Sequence, residues 1–133
     1  MFKTVLFPID QSRNSQDALL KVAELVKFCE AQLYLLTVST EPKGDSDTPS
    51  MTSDAAEALL SAASQKFSEL EINAETVHRS GRPAFSICDV ADELDVDLIM
   101  MSCRGIGLSE DHTEESVSNR VINLSPCPVM VIP

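Results

Sequence analysis

The sequence lacks any apolar run close to the roughly 20 residues that a membrane-spanning helix needs. Its start contains one lysine and a short apolar stretch that is ended by Pro8 and Asp10. No small-residue cleavage site of the kind that ends a signal peptide follows, so we interpret this stretch as a β-strand. We therefore expect a cytoplasmic protein.

Basic residues are also scarce. Lysine and arginine together number 10 against 21 aspartates and glutamates, which gives a net charge of -11. Binding to duplex nucleic acid depends on a basic surface that releases counterions, and anionic membranes attract basic segments as well. The composition therefore argues against both kinds of partner. Most of the acidic residues are expected to form an ordinary solvated surface.

The 4 cysteines lack the spacing of a metal site or a disulfide framework, since no two of them form a C-x-x-C pair. Cys29 and Cys88 lie in helical patterns, where a small buried hydrophobic residue is the expected role. Cys103 precedes Arg104 near a predicted helix N-terminus, a setting that favours a reactive thiolate. A reactive Cys103 is one hypothesis, and an inert thiol is the favoured one.

What the chain does have is a regular alternation of short apolar runs and amphipathic segments. At 133 residues, 44% of them hydrophobic, it suits one globular domain over residues 1–133. The apolar runs predict strands at residues 3–9, 32–38, 73–78, 97–101 and 128–132. Helical periodicity predicts helices at residues 14–30, from Thr52 or Ser53 to about 70, from Pro83 through Leu94, and at 116–123. Strands separated by helices indicate right-handed crossovers and a parallel sheet, which is an α/β fold of the doubly wound type.

Two of the predicted helices have clearly marked buried faces. In the first helix the face consists of Ala18, Val22, Leu25, Val26 and Cys29. In the second it consists of Ala56, Leu59, Ala63, Phe67 and Leu70. These spacings predict which side of each helix packs on the sheet.

The ligand site of such a sheet lies beyond the carboxyl ends of the strands, where the strand order reverses. That rule selects three stretches, which are residues 8–10, Val38 with the residues after it, and residues 101–118. The segment 40–53 contains prolines, aspartates and several hydroxyl residues, and it has the length of a loop that is functional or mobile.

The last of these stretches contains a glycine turn at Gly105 and Gly107. Glycines can adopt positive φ and let an anion approach backbone N–H groups. Ser116 and Ser118 open the predicted helix, whose free N–H groups favour negative charge. Two glycines that merely let the chain leave the strand are an equally good explanation.

At this point the chain resembles the universal stress protein family, small α/β domains that bind adenine nucleotides. The resemblance rests on the stretches FPIDQS, HRSGRPA, DVDLIMMSCRG, SVSNRVI and SPCPVMVI, which begin at residues 7, 78, 95, 116 and 125. It implies a five-stranded parallel sheet in the order 3-2-1-4-5 with helices on both faces, and a non-enzymatic role in stress response or signalling. It also implies a homodimer through the last strand, Val129, Met130, Val131 and Ile132, whose apolar edge would otherwise be an aggregation hazard.

ATP-binding members of the family carry a G-x2-G-x9-G-[S/T] pattern. Against that pattern Gly105 is the middle glycine and Ser116 the terminal hydroxyl, while Ser102 and Glu115 replace the other two glycines. On the nucleoside side the resemblance assigns Asp10 to a ribose hydroxyl and Val38 to the base, with a helix-capping aspartate and a core valine as the alternatives. The implied binding residues are completed by Pro8, Ile9, Met101, Arg104, Gly107, Val117 and Ser118.

Glu115 is the change with the largest expected effect. A glutamate that points inward sets a negative charge beside the phosphates. Two unit charges 4 Å apart repel by about 4 kcal/mol at an effective dielectric of 20, which is more than two decades in affinity. Ser102 adds a Cβ where the backbone is expected to need positive φ, and Glu110, Asp111 and Glu114 add further charge, part of which magnesium would offset. We therefore expect weak or no ATP binding, with magnesium-assisted binding of ATP or AMP as the alternative.

Two other classes of function fit the residues poorly. A nucleotide hydrolase would need a Walker-type Gly-Lys-Ser/Thr, paired carboxylates or a nucleophile beside a base, and neither His78 nor His112 has an evident acid–base partner. A phosphorylated receiver domain would need an acid next to Asp10, an aspartate at the end of the third strand and a lysine after the fifth. None of these is present in the sequence.

Overall fold

The computed structural model describes residues 2–10, 13–39, 52–102 and 117–133 of the chain. In these ranges strands and helices alternate in the predicted order. They are β1 (Thr4–Pro8), α1 (Arg13–Cys29), β2 (Gln32–Ser39), α2 (Ser53–Glu69), β3 (Ala74–Ser80), α3 (Pro83–Glu93), β4 (Leu98–Ser102), α4 (Val117–Leu124) and β5 (Val129–Ile132). None of these helices combines the length and the apolar character that crossing a membrane requires.

The strands form one parallel sheet in the order β3-β2-β1-β4-β5. The predicted doubly wound α/β fold with this strand order is therefore confirmed. β1 and β4 share only two registered pairs in the described ranges, Val5↔Leu98 and Leu6↔Ile99. The strand order reverses between these two strands, so the short ladder lies where a ligand site of this fold is expected.

Each face of the sheet carries its own apolar cluster, because successive side chains of a strand point to opposite faces. On one face Phe7 of β1 packs beneath α1 and α2, and its ring meets the ring of Phe67 edge to face at a centroid distance of 6.3 Å. On the other face Leu6 packs with residues of α3 and α4, among them Val90 and Val121. β1 is thus buried on both faces, as a central parallel strand should be.

The buried faces of α1 and α2 agree with the prediction except at their margins. The residues that are buried as predicted are Ala18, Val22, Val26, Ala56, Ala63 and Phe67. Leu25, Cys29, Leu59 and Leu70 are only half-buried, while Leu19 and Leu60 are buried instead. Each contact stripe is therefore shifted toward neighbouring positions of the helix. Cys88 on α3 is buried as predicted.

Asp97, predicted as the first residue of the fourth strand, instead precedes β4 and connects it to β1. Its Oδ2 accepts hydrogen bonds from the backbone N–H groups of Lys3 at 2.9 Å and Thr4 at 3.0 Å. Its own N–H donates to the Thr4 carbonyl at 2.9 Å. A carboxylate suits this position because it accepts from backbone N–H groups at the start of β1 that have no hydrogen-bond partner in the sheet.

Three helices end on an acidic residue in the left-handed conformation that usually favours glycine. Glu30 after α1 has φ 53°, Glu71 after α2 has φ 64°, and Asp95 after α3 has φ 50°. In each case the next residue donates its N–H five residues back, and the bond from Ala31 to the Val26 carbonyl at 3.0 Å is one example. This is the Schellman arrangement, built here without glycine.

We predict that Glu30→Gly stabilises the fold. Glycine removes the steric cost of the left-handed conformation, about 1–2 kcal/mol. Part of this gain is offset, because glycine also increases the conformational entropy of the unfolded chain. The free energy of unfolding in urea should rise by about 0.5–1 kcal/mol. The matched control is Glu24→Gly, at an exposed site inside α1, which should lower it by about 1 kcal/mol. A loss of stability in both variants would contradict the prediction.

Candidate functional site

The candidate site lies at the carboxyl edge of the sheet, where β1 and β4 no longer pair. The last registered pair between these strands is Leu6↔Ile99, so the residues that follow on each strand flank an opening. β1 contributes Pro8 and the residues after it, and β4 contributes Met101 and Ser102. The first turn of α4 follows β4 in the chain. This is the position that the strand-order rule selects.

The β1 side of the opening is held in place by a hydrogen bond to β2. The N–H of Ile9 donates to the Leu36 carbonyl at 2.8 Å, and the Ile9 side chain is 7% exposed. Pro8 and Asp10 are half-buried, and Asp10 is engaged in interactions of its own. Asp10 therefore lies at the rim of the opening, directly after a backbone segment that is fixed by the sheet.

Three of the predicted residues come together on the α3–α4 face of the sheet. Val38 near the end of β2, Met101 in β4 and Val117 at the start of α4 belong to one apolar cluster. Met101 is buried at 5% exposure, whereas Val38 and Val117 are half-buried and pack against the cluster. Val38 is thus a core residue that also keeps part of its surface accessible, so the two proposed roles for it are compatible.

Ser102 differs from the steric expectation. It is the last residue of β4, is half-buried and pairs with Ile132 of β5. The non-glycine residues with positive φ in the described ranges are Glu30, Glu71 and Asp95, so Ser102 is not one of them. The expectation of a Cβ where positive φ is needed is therefore wrong for this chain, because the residue is still part of a strand.

Several predicted site residues fall outside the described part of the chain. These are Arg104, Gly105, Gly107, Glu115 and Ser116, together with Cys103, His112 and most of the segment 40–53. Ser118, which is described, lies half-buried in the first turn of α4.

A hydrogen-bonded pair that the sequence did not predict joins β2 to β3. His78 Nε2 lies 2.9 Å from Ser39 Oγ, so His78 is a hydrogen-bonded histidine. Ser39 is 4% exposed, and its hydroxyl also lies within 3.4 Å of the Arg79 carbonyl. The pairing depends on the β2–β3 register, which sets Thr37 opposite His78 and Ser39 opposite Ser80. No local pattern in the sequence carries that register.

Two hollows flank the described part of α2. A small hollow of about 40 Å³ beside Ile9 and Asp10 is also lined by Lys66, and it has room for little more than one water molecule. A groove of about 680 Å³ lies between α2 and β3, toward the β3 edge of the sheet.

Burial makes two of the cysteines poor nucleophiles. Burial is the main cause of the raised pKa of the Cys88 thiol, and the negative charge of Asp89 raises this pKa further. Burial likewise raises the pKa of Cys127, against a hydrogen bond from Ser125 that lowers it. A raised pKa leaves less thiolate at neutral pH. Within the described ranges no group of three or more histidine, cysteine or acidic side chains is arranged to hold a metal ion.

Comparison with known proteins relates the whole chain to one family. The model of the universal stress protein family matches residues 1–133. The chain is 52% identical over 136 residues to the universal stress protein Sll1654 of Synechocystis sp., a match that covers 100% of this chain and 87% of that protein.

Two solved structures share the fold. A universal stress protein in complex with cAMP superposes with a TM-score of 0.80 at 20% identity, covering 99% of this chain and 97% of that one. The universal stress protein from Archaeoglobus fulgidus in complex with dAMP superposes with a TM-score of 0.73 at 23% identity, covering 98% of each chain.

Proposed function

The chain belongs to the universal stress protein family, and we propose that it is a non-enzymatic stress-response or signalling module whose adenine-nucleotide pocket binds ATP weakly or not at all. One observation carries the proposal. The nucleoside-side residues Asp10 and Val38 stand at the opening between β1, β2 and β4, while Ser102 and Glu115 replace two of the three glycines of the phosphate pattern. The proposal includes the cytoplasmic location that the sequence predicted.

Charge supports the weak binding of a triphosphate. Between Gly105 and Ser118 the sequence contains Glu110, Asp111, Glu114 and Glu115 and no lysine or arginine. A triphosphate would bring several negative charges to this segment, and even one pair of like charges at short range costs several kcal/mol at an effective dielectric of 20. Magnesium would lower this cost, since carboxylates and phosphates share the ion readily.

A nucleoside monophosphate is the second candidate ligand. The two replaced glycines of the family pattern belong to the phosphate side, whereas Asp10 and Val38 are retained on the nucleoside side. The structural neighbours that share this fold include proteins solved with cAMP and with dAMP. A ligand with one phosphate meets fewer of the acidic residues than ATP does, so AMP should bind at least as well as ATP.

The absence of catalysis is proposed from the surroundings of the one serine–histidine pair described above. Ser39 Oγ is within hydrogen-bond distance of His78 Nε2, but Ser39 is only 4% exposed. A nucleophile has to reach its substrate, and a hydroxyl on a buried residue such as Ser39 cannot do so. The pair therefore acts as a structural link between β2 and β3.

We also propose a homodimer through β5. In the described residues β5 pairs with β4 alone, so its other edge has unpaired backbone groups. Met130 is 37% exposed, Val129 and Val131 are half-buried, and Ile132 is buried. An apolar edge strand of this kind is normally paired or covered, and a second copy of β5 would cover it.

The first prediction concerns the protein as purified. It should carry little or no nucleotide, because the phosphate side of the pocket repels ATP. Mass spectrometry of the supernatant after denaturation measures this directly. Near-stoichiometric ATP would refute the proposal, while AMP alone would support the second candidate.

The second prediction concerns the replaced glycines. The double variant Ser102→Gly, Glu115→Gly should gain affinity for Mg-ATP. Ligand at 100 times its Kd stabilises a fold by about 2.7 kcal/mol, so its melting temperature should rise with added Mg-ATP. Because Ser102 is unstrained in β4, we expect Glu115→Gly alone to give most of the gain and Ser102→Gly alone to give little. A melting curve of the double variant that Mg-ATP does not move would contradict the prediction.

The third prediction concerns the dimer. Met130→Lys should weaken self-association at least about tenfold, because each copy would then bury an ammonium group without a partner. Sedimentation of the variant at several concentrations measures the dissociation constant. The control is Leu20→Lys on α1, an apolar side chain that is 61% exposed, and this variant should associate like the parent protein. If Met130→Lys associates as strongly as Leu20→Lys and the parent protein, β5 is excluded as the interface.

A further inference from the structure

The opposite edge of the sheet also presents an open strand. β3 is the outermost strand on that side and pairs with β2 over seven residues, from Leu33↔Ala74 to Ser39↔Ser80. Within the described residues no further strand adjoins it. An edge strand of this length exposes a row of unpaired N–H and C=O groups, which form a template for another chain.

The hydrogen bonds identify which residues of β3 face outward. The N–H of Gly81 donates to the Ser39 carbonyl at 2.9 Å, so Gly81 faces β2. Successive residues of a strand direct their backbone polar groups to opposite sides, and residues 79, 77 and 75 therefore face β2 as well. Ala74, Thr76, His78 and Ser80 direct their N–H and C=O groups away from the sheet.

Two of these four residues also have side chains that line the groove of about 680 Å³ between α2 and β3. Thr76 and His78 line it from the strand. From the helix it is lined by residues of one face of α2, which are Glu57, Leu60, Ser61, Ser64, Gln65 and Ser68. The lining is mostly hydroxyl and amide groups with one carboxylate. An added strand could thus pair with the edge and place every second side chain in a polar groove.

The charge carried by α2, β3 and the residues between them selects the kind of chain. Between residues 53 and 80 the acidic residues are Asp54, Glu57, Glu69, Glu71 and Glu75, and the basic ones are Lys66 and Arg79. Arg79 is bound to Glu93 at 3.2 Å, so its charge is already matched. The flank therefore has an excess of exposed negative charge, which attracts basic segments and opposes a second copy of this acidic chain.

We propose that the β3 edge and the α2–β3 groove bind a basic peptide segment in extended conformation, which adds to the sheet as a sixth strand. Main-chain hydrogen bonds to Ala74 and Thr76 supply affinity, while Glu57 in the groove and Glu75 on the other face of β3 select lysine or arginine side chains. Self-pairing through β3 is disfavoured, because it would set the same acidic residues of two copies close together.

Arg79 limits how far the added strand extends. Its guanidinium donates to the outward-facing His78 carbonyl at 3.2 Å, in addition to its bond with Glu93. That carbonyl is therefore already satisfied, whereas the outward N–H and C=O groups of Ala74 and Thr76 point to the open edge of the sheet. The expected contact region runs from Ala74 to the N–H of His78.

The probes are three fluorescein-labelled octapeptides, followed by fluorescence anisotropy with the full chain. The first alternates lysine and threonine and is expected to bind. The second has the same sequence with every second backbone nitrogen methylated, and should bind at least about fivefold more weakly for each hydrogen bond lost. The third alternates glutamate and threonine and should not bind. Equal binding of the first two peptides would overturn the proposal, because it would mean attraction by surface charge alone.

The matched variants test the strand itself. Thr76→Pro removes an outward N–H without removing a bond to β2, and should weaken the lysine–threonine peptide at least about fivefold, whereas Thr76→Val keeps the N–H and should bind like the parent. Unchanged binding by a folded Thr76→Pro variant, verified by circular dichroism, would overturn the proposal. If that variant does not fold, Glu57→Gln with Glu75→Gln decides, since binding that survives loss of both charges contradicts it. A second copy is the alternative occupant. If sedimentation shows that Thr76→Pro abolishes self-association and that the peptide does not affect it, a second copy occupies the β3 edge and the proposal is overturned.

Discussion

Burial of β1 on both of its faces is the constraint on which the rest of the fold depends. Leu6 and Phe7 are each 0% exposed and point to opposite faces, so helices have to cover the sheet on both sides. With right-handed crossovers, the connections from β1 to β2 and β3 place α1 and α2 on one face, and the return through β4 and β5 places α3 and α4 on the other. The strand order therefore reverses beside β1, and the reversal creates the opening in which the candidate site lies.

Acidic residues take positions in this chain where glycine is the usual choice. The chain has 4 glycines, and three helix ends use Glu30, Glu71 and Asp95 in the left-handed conformation instead. An acid there costs about 1–2 kcal/mol, which the fold tolerates because solvent hydrates the carboxylate and the backbone bonds are still formed. In the proposed phosphate loop the same exchange at Glu115 would add a charge that repels the ligand. Replacement of glycine by an acid can thus preserve the fold while it lowers affinity for anions.

The architecture could be predicted from the sequence because each element has its own local pattern. Apolar runs marked the strands, periodic faces marked the helices, and the family resemblance supplied the strand order, which the structure confirms. Features that depend on register or on distant partners could not be predicted in this way. Asp97 binds the start of β1, and Ser39 meets His78 across two strands, although neither contact has a signal in the nearby sequence. The backbone at Ser102 was predicted wrongly, because a family glycine does not fix φ once the residue remains in a strand.

The acidic surface has opposite effects on the affinities of the two proposed ligands. A net charge of -11 opposes the approach of a nucleoside triphosphate to the carboxyl edge and favours the approach of a basic segment to the β3 edge. Salt screens both effects, over a Debye length of about 10 Å at 0.1 M ionic strength. Added salt should therefore weaken binding of the basic peptide and reduce the electrostatic repulsion of the nucleotide. Since the two sites lie at different strands of one sheet, the sign of the salt dependence separates binding at one from binding at the other without any change to the chain.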